Sequence, residues 1–418
     1  MRALAGRLGI GTLCVAGLLC LYGLADAGQR PLGEQTLVAS DGAANDMFGF
    51  VALAISGSTL VVGVTGDDIG ANTDQGSVYV FERHGGSWVE QQKLTADDGA
   101  AGDGFGRYVA IHGDTLVVGA PGDDDGSNLN EGSVYVFERD RGLWSQGQKL
   151  TASDGLAGDQ FGLNVSISGD VIVVSTRFSD VAGNVDQGSA YIFSRGGGFW
   201  TEQQKLTASD GTAGDQFGFS NTIDGSTIVV GAPLTDISGI ANQGAVYVFE
   251  RHGSFWSEEQ KLIASDGAAN DQFGFNALVS DGTIFVSSPM DDIGSNVNQG
   301  STYVFEQQAG SWQEQQKLIA SDGGANDQFG LPRASGSTVV IGGRLHDVGS
   351  NVDQGEAYVF ERRGGAWIET QQLTADDGAA GDNFGFTLAI GGATIVVSAH
   401  LDDIGANVNQ GSVHVFEP

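Results

Sequence analysis

Residues 209–267 read SDGTAGDQFGFSNTIDGSTIVVGAPLTDISGIANQGAVYVFERHGSFWSEEQKLIASDG, and most of the chain is copies of this stretch. Its clearest marker is Asp-x-Phe-Gly. The marker recurs at Asp46–Gly49, Asp103–Gly106, Asp159–Gly162, Asp215–Gly218, Asp271–Gly274, Asp327–Gly330 and Asp382–Gly385. The copies lie about 56 residues apart, and such a fixed period marks a solenoid, a propeller or an array. Within the unit, four short apolar runs are separated by turn residues: Phe217–Ile223, Thr227–Ala232, Ala245–Glu250 and Trp256–Ile263. Their length and their β-branched and aromatic content predict strands, and no window has a helical period.

The four runs are graded. The first alternates, with Leu163, Val165 and Ile167 apolar and Asn164, Ser166 and Ser168 polar. The second and third are almost continuously apolar, as in strands covered on both faces. The fourth begins polar, as an outer strand should. Inner edge, two central strands and outer edge describe one propeller blade, so the sequence predicts an all-β, seven-bladed β-propeller of four-stranded antiparallel blades. One fourth strand is missing. Trp-led copies occur at Trp88, Trp144, Trp200, Trp256, Trp312 and Trp367, whereas the last unit stops at Pro418. Glu34–Ala39 (EQTLVA) matches the missing piece without its Trp. It is expected to pair beside Gly411–Glu417 and close the ring, removing the open edges.

Residues 1–27 differ from the rest. Arg2 and Arg7 precede an apolar stretch, and Ala25-Asp26-Ala27 has the small-x-small form of a cleavage site. This reads as a secretory signal peptide, leaving residues 28–418 as a single domain, secreted, periplasmic or displayed at the cell surface, with no membrane span after cleavage. Both cysteines, Cys14 and Cys20, fall in the leader, so the mature chain has no thiol chemistry. With 52 acidic against 19 basic residues the formal net charge is −33, which argues against nucleic acid as a partner.

Phe-Gly at the start of the unit and Gly-Ala-Pro after its second strand, literal at Gly119-Ala120-Pro121 and Gly231-Ala232-Pro233, resemble the FG-GAP repeat of integrin α-subunit propellers and their bacterial relatives. Elsewhere the triplet drifts, to Ser175-Thr176-Arg177, Gly342-Gly343-Arg344 and Ser398-Ala399-His400 among others. The resemblance covers residues 34–418 and implies a propeller that binds partners through one rim. It also implies a calcium loop between the first two strands. Here that junction is a tight turn such as Asp224-Gly225-Ser226, too short for the six to eight oxygens calcium takes, so that site is not carried over. Unit six departs as well, with Leu331-Pro332-Arg333 in its first strand; proline is tolerated on an edge.

Antiparallel order places the linkers between blades on the same rim as the loops between second and third strands. That rim is acidic. Each linker carries two aspartates, such as Asp210 and Asp215, and each 2–3 loop adds more. Three readings fit them: turn-forming Asx hydrogen bonds, divalent-cation binding, and solubilising charge. For a cation, calcium suits the hard oxygens of the 2–3 loops, and the candidate ligands are Asp67 and Asp68, Asp123, Asp124 and Asp125, Asp291 and Asp292, and Asp402 and Asp403. Lys93, Lys149, Lys205, Lys261 and Lys317 lie on fourth strands and are expected not to offset the rim carboxylates.

No constellation for an enzyme is visible. The six histidines form no His-Glu-x-x-His pair, and there is no Gly-x-Ser-x-Gly elbow. His346 and His400 sit in equivalent 2–3 regions, where a shared site is one reading and a plain surface role the other. The sequence therefore points to a monomeric, non-catalytic binding or adhesion module with an extracellular protein or glycan partner on its acidic face. The alternative is a glycan-binding or hydrolytic propeller with a site in the central channel or between blades.

Overall fold

The computed structural model describes residues 32–418; the expected signal peptide lies outside them. These residues form seven four-stranded antiparallel sheets. Among them, no helix is long and apolar enough to cross a membrane. We number the blades from the one whose first strand is Leu53–Ser56 to the one whose first strand is Leu388–Gly391.

Blade 4 represents the rest. Its strands are Ser220–Asp224, Thr227–Ala232, Ala245–His252 and Phe255–Leu262, paired in that order. The sequence predicted a first strand beginning at Phe217. Instead, residues 217–219 complete a turn, because Gln216 and Gly218 both have positive φ and the Phe219 N–H donates to the Gln216 carbonyl at 3.1 Å. The turn drops Phe217 into the seam between blades 3 and 4, among Val173, Ile192, Leu206, Ile228 and Tyr247. Its edge-to-face contacts with Tyr247 (5.5 Å) and Phe249 (6.0 Å) recur in every blade, with His414 in place of the tyrosine in blade 7. The Gly-Ala-Pro glycine has a related reason. A Cβ on Gly231 would lie 2.0 Å from the carbonyl oxygen of Gly274, the Phe-Gly glycine of the next blade. The two halves of the motif thus meet across the seam between blades.

Ring closure is as the missing strand predicted. Gly33–Leu37 pairs antiparallel with Ser412–Glu417, from Gly33↔Glu417 to Leu37↔Val413. The seam it makes with blade 1 is like the others. The Gln35 amide donates to the Trp88 carbonyl and accepts the Trp88 N–H, at 2.8 and 2.9 Å, and Gln204 does the same for Trp256. Arg83 and Glu417 add an ion pair at 2.6 Å. Blade 6 keeps its first strand, Phe329–Ser335, despite Pro332, with a register shift after Phe329. First strands of neighbouring blades face one another and enclose an axial channel.

Candidate functional site

The aspartates of the acidic rim divide into three kinds. Those of Asp-x-Phe-Gly are buried turn formers. Asp46 Oδ2 accepts the N–H of Ala43 at 2.6 Å, and the same bond appears at Asp103, Asp159, Asp215, Asp271, Asp327 and Asp382. Burial pushes the Asp46 carboxyl up to about 6; the Ala43 N–H opposes this and the Asp67 charge adds to it.

The second kind sits in a four-part cluster. The linker crosses over the next blade, so Asp41 meets Tyr79 and Lys93 of blade 1 rather than its own blade. Lys93 bridges Asp41 (2.8 Å) and Asp67 (2.7 Å). Tyr79 donates to Asp41, and Lys93 lies 5.1 Å from its ring centre. Asp67 also accepts from Ser77 Oγ. Blades 2 and 5 repeat the arrangement with Lys149 on Asp98 and Asp123, and with Lys317 on Asp266 and Asp291. In blades 3 and 4 Lys205 and Lys261 hold Asp154 and Asp210. Partial burial raises the Asp41 pKa, but the hydrogen bonds from Lys93 and Tyr79 outweigh it and hold the carboxyl below the ordinary range. The expectation that the lysines leave the rim uncompensated is therefore overturned. Each reaches an aspartate of the preceding linker, about one repeat earlier in sequence.

The third kind is exposed. Asp68, Asp124, Asp292 and Asp403 each accept one backbone N–H within the loop, from Asp74, Asn130, Asn298 and Asn409. Asp125 is exposed beside them. Aliphatic side chains share these loop tips. Leu129, Val185, Val297, Val352 and Val408, at equivalent positions, are 52–62% exposed.

Blades 6 and 7 lack the lysine. By register, Gln372 and Thr36 take its place opposite Tyr358 and His414. Two groups fill the vacated positions: Asp322, His346 and Glu356, and Glu34, Asp377 and His414. In each, the ligand atoms lie within 4.8 Å of one another, a spacing able to hold a divalent metal. His346 Nδ1 is 2.8 Å from Asp327, and that contact, against the opposing effect of burial, raises the imidazole pKa. In blade 7 an open cavity of about 540 Å³ is bounded by Asp377, Asp382, Asp402 and Asp403, and the Asp402 Oδ2 is buried with no hydrogen-bond partner. His346 and His400 do not meet in one group: His400 packs instead on Phe386 and Phe50, at 4.4 and 4.9 Å.

At the centre of the same face the chemistry reverses. A cavity of about 160 Å³ draws its lining from all seven blades, and Arg107, Arg177, Arg333 and Arg344 reach into it beside Phe50 and Phe386. Arg107 lies over Phe50 (4.9 Å), Arg177 over Phe219 (4.6 Å) and Arg344 over Phe386 (4.9 Å). The sequence reading did not single out these residues as a site. For two of them the trace is the drift of the Gly-Ala-Pro triplet to Arg177 and Arg344, and for a third it is the Leu331-Pro332-Arg333 departure of unit six; Arg107 leaves none.

A family profile described as FG-GAP repeat matches seven times, over residues 33–81, 88–137, 144–193, 200–249, 256–305, 312–360 and 367–416. Each match runs from the fourth strand of one blade to the third strand of the next, so the first begins on the closing strand. No curated protein matches the chain. With seven repeats in register, and the Phe-Gly and Gly-Ala-Pro glycines in contact across four of the seams, the chain belongs to the FG-GAP repeat family.

Proposed function

We propose that this propeller is a secreted, non-catalytic binding or adhesion module, and that its linker and 2–3 loop face takes an extracellular protein partner with a basic surface. The crown of exposed aliphatic side chains carries this reading. Five loop tips present Leu or Val at more than half exposure, each in a loop that also carries an exposed aspartate. Solvated loops have no folding reason to keep an aliphatic residue at the same tip in several blades. An apolar spot ringed by carboxylates suits a partner that buries apolar area and brings lysine or arginine to the margin. The test is capture of extracellular proteins by the wild type and by Leu129→Ser/Val185→Ser/Val352→Ser, a variant expected to fold normally. Loss of the captured species in the variant supports the crown; an unchanged set of captured proteins overturns it.

Divalent-cation binding is proposed on the same face. The observation favouring it is local to blade 7. Asp67, Asp123 and Asp291 already hold a lysine ammonium, whereas Asp402 keeps an unpartnered oxygen beside Asp377, Asp382 and Asp403. Such hard oxygens suit calcium. A ligand of the folded state alone stabilises by about 2.7 kcal/mol at a hundredfold excess over Kd. Calcium should therefore raise Tm above sodium chloride of equal ionic strength, and Asp402→Asn should abolish the excess. Asp123→Asn/Asp124→Asn/Asp125→Asn should retain it. An excess that survives in Asp402→Asn and disappears in the triple variant would return the site to residues 123–125.

A further inference from the structure

The axial arginines are hard to explain by folding. The chain has 52 acidic residues, yet among the described residues Arg107, Arg177, Arg333 and Arg344 make no ion pair. Arg344 uses its Nε on Gln328, and Arg333 donates to Asn276 Oδ1 and to the Pro332 carbonyl. The Arg177 Nε is buried with no hydrogen-bond partner. The channel walls desolvate Arg177, Arg333 and Arg344 and lower their pKa values, and Arg107 repels Arg177 in addition. Converging cations in a half-buried cleft without a counter-charge lower stability. Guanidinium stacking on phenylalanine recovers only part of that loss.

The four also come from unlike positions in the repeat. Arg107 follows Phe-Gly in blade 2. Arg177 and Arg344 occupy the proline position of Gly-Ala-Pro in blades 3 and 6. Arg333 is on the first strand of blade 6, where the other blades have Ala54, Ala110, Ser166, Thr222, Leu278 and Ala389 by register. No single repeat holds the group; closing the ring assembles it. We propose that this axial cleft is a binding site for a small oxyanion, a ligand carrying carboxylate, sulfate or phosphate groups, held chiefly by the guanidinium forks of Arg107 and Arg177. A planar fork matches two oxygens of such a group at once. The acidic rim does not forbid this ligand. At physiological ionic strength charges are screened over about 8 Å, so the hub is governed by its own arginines. The site is independent of the crown, and its ligand need not be the crown's partner.

Citrate, sulfate and inorganic phosphate serve as probes, each compared with sodium chloride at equal ionic strength. At least one should raise Tm and bind saturably by calorimetry. Arg107→Gln/Arg177→Gln should weaken that probe at least tenfold, while without ligand it melts at or above the wild type because repulsion is relieved. Arg177→Lys, which keeps the charge and loses the fork, should fall between them. Arg141→Gln, on an exposed turn of the opposite rim, is expected to bind like the wild type. The proposal is overturned if none of the three anions exceeds sodium chloride, or if the double variant binds as tightly as the wild type. It is equally overturned if the ligand-free double variant is several degrees less stable or fails to fold, since the arginines would then be structural.

Discussion

At the position of Tyr247 the seven blades carry tyrosine six times and His414 once, all buried against the phenylalanine of Asp-x-Phe-Gly. At the position of Arg177 they carry Thr65, Pro121, Pro233, Pro289, Arg344 and His400 besides Arg177 itself. The first position lies in the shell of seams between blades, the second on the axis. A seam is made seven times from the same parts, so each copy faces the same packing problem and arrives at the same answer. The axis exists once. Residues that line it need not agree with one another, and a chemical site there has to be built from disagreement. Repetition in this chain marks structure, and a departure has meaning where several departures converge in space.

The largest effect expected from breaking the shell is removal of its closing strand. Deleting residues 33–39 uncovers the edge of Ser412–Glu417 and the Trp88 clamp at once. An unpaired edge of this kind pairs with other chains. The truncated protein should aggregate and lose its single cooperative melt. A truncated chain that stays monodisperse with an unchanged Tm would mean that the strand only decorates the ring.

Single substitutions set shell against axis more finely. Phe217 is fully buried in its seam, and Phe217→Ala should cost about 3–5 kcal/mol. Phe219, two residues on, faces the channel and is only partly buried. Phe219→Ala should cost about 1 kcal/mol or less. Denaturant unfolding of the two variants measures the contrast, and equal losses would erase it.

The same measurement applied to the rim asks whether its lysines act as internal counter-ions. Lys149→Met strips the buried Asp123 of its ammonium and should destabilise by about 1–3 kcal/mol. Gln372→Lys installs the missing cation in blade 6, opposite Tyr358 and beside Asp322, and should raise Tm. A Tm that falls in Gln372→Lys would indicate that blade 6 gave up its lysine for a reason other than charge.

These contrasts also explain what could be read before the structure. The fold was legible because one period fixed strand order, blade count and the missing fourth strand together. Asp-x-Phe-Gly could be recognised as a structural signature for the same reason. The lysine bridges were not legible. Lys93 is close in sequence to Asp98 but pairs with Asp41, because the linker passes over the following blade before entering it. The axial cleft was legible least of all. Arg107, Arg177, Arg333 and Arg344 are scattered over three repeats, and each looks like ordinary drift until the ring brings them to one point.

The smallest effect concerns protons, and it separates the two classes of rim aspartate. Asp46, Asp103, Asp159, Asp215, Asp271 and Asp382 have pKa values raised first by burial, that of Asp46 to about 6. For these the folded state binds more protons than the unfolded state. Their contribution to stability therefore grows as pH falls through each folded pKa, about 6 for Asp46, toward the unfolded value of 3.8. Asp41, Asp98, Asp154, Asp210 and Asp266 are lowered, with lysine and tyrosine hydrogen bonds outweighing burial. Their contribution is present above the unfolded value and is lost as pH falls below it. The two signs together place the maximum Tm on the acid side of neutrality, above the pH at which the lysine bridges break. The gain should be modest, since the lysine-bridged carboxylates lose stability over the lower part of the same pH range. Relief of the net charge of −33 would act in the same direction, but salt screens it, whereas a buried carboxyl is screened much less. The measurement is Tm from pH 7.5 to 3 in both low and high salt. A gain that persists in high salt and shrinks in Asp46→Asn belongs to the turn aspartates. A gain that vanishes in high salt belongs to the surface charge, and the division between the two classes of aspartate would then have no thermodynamic consequence.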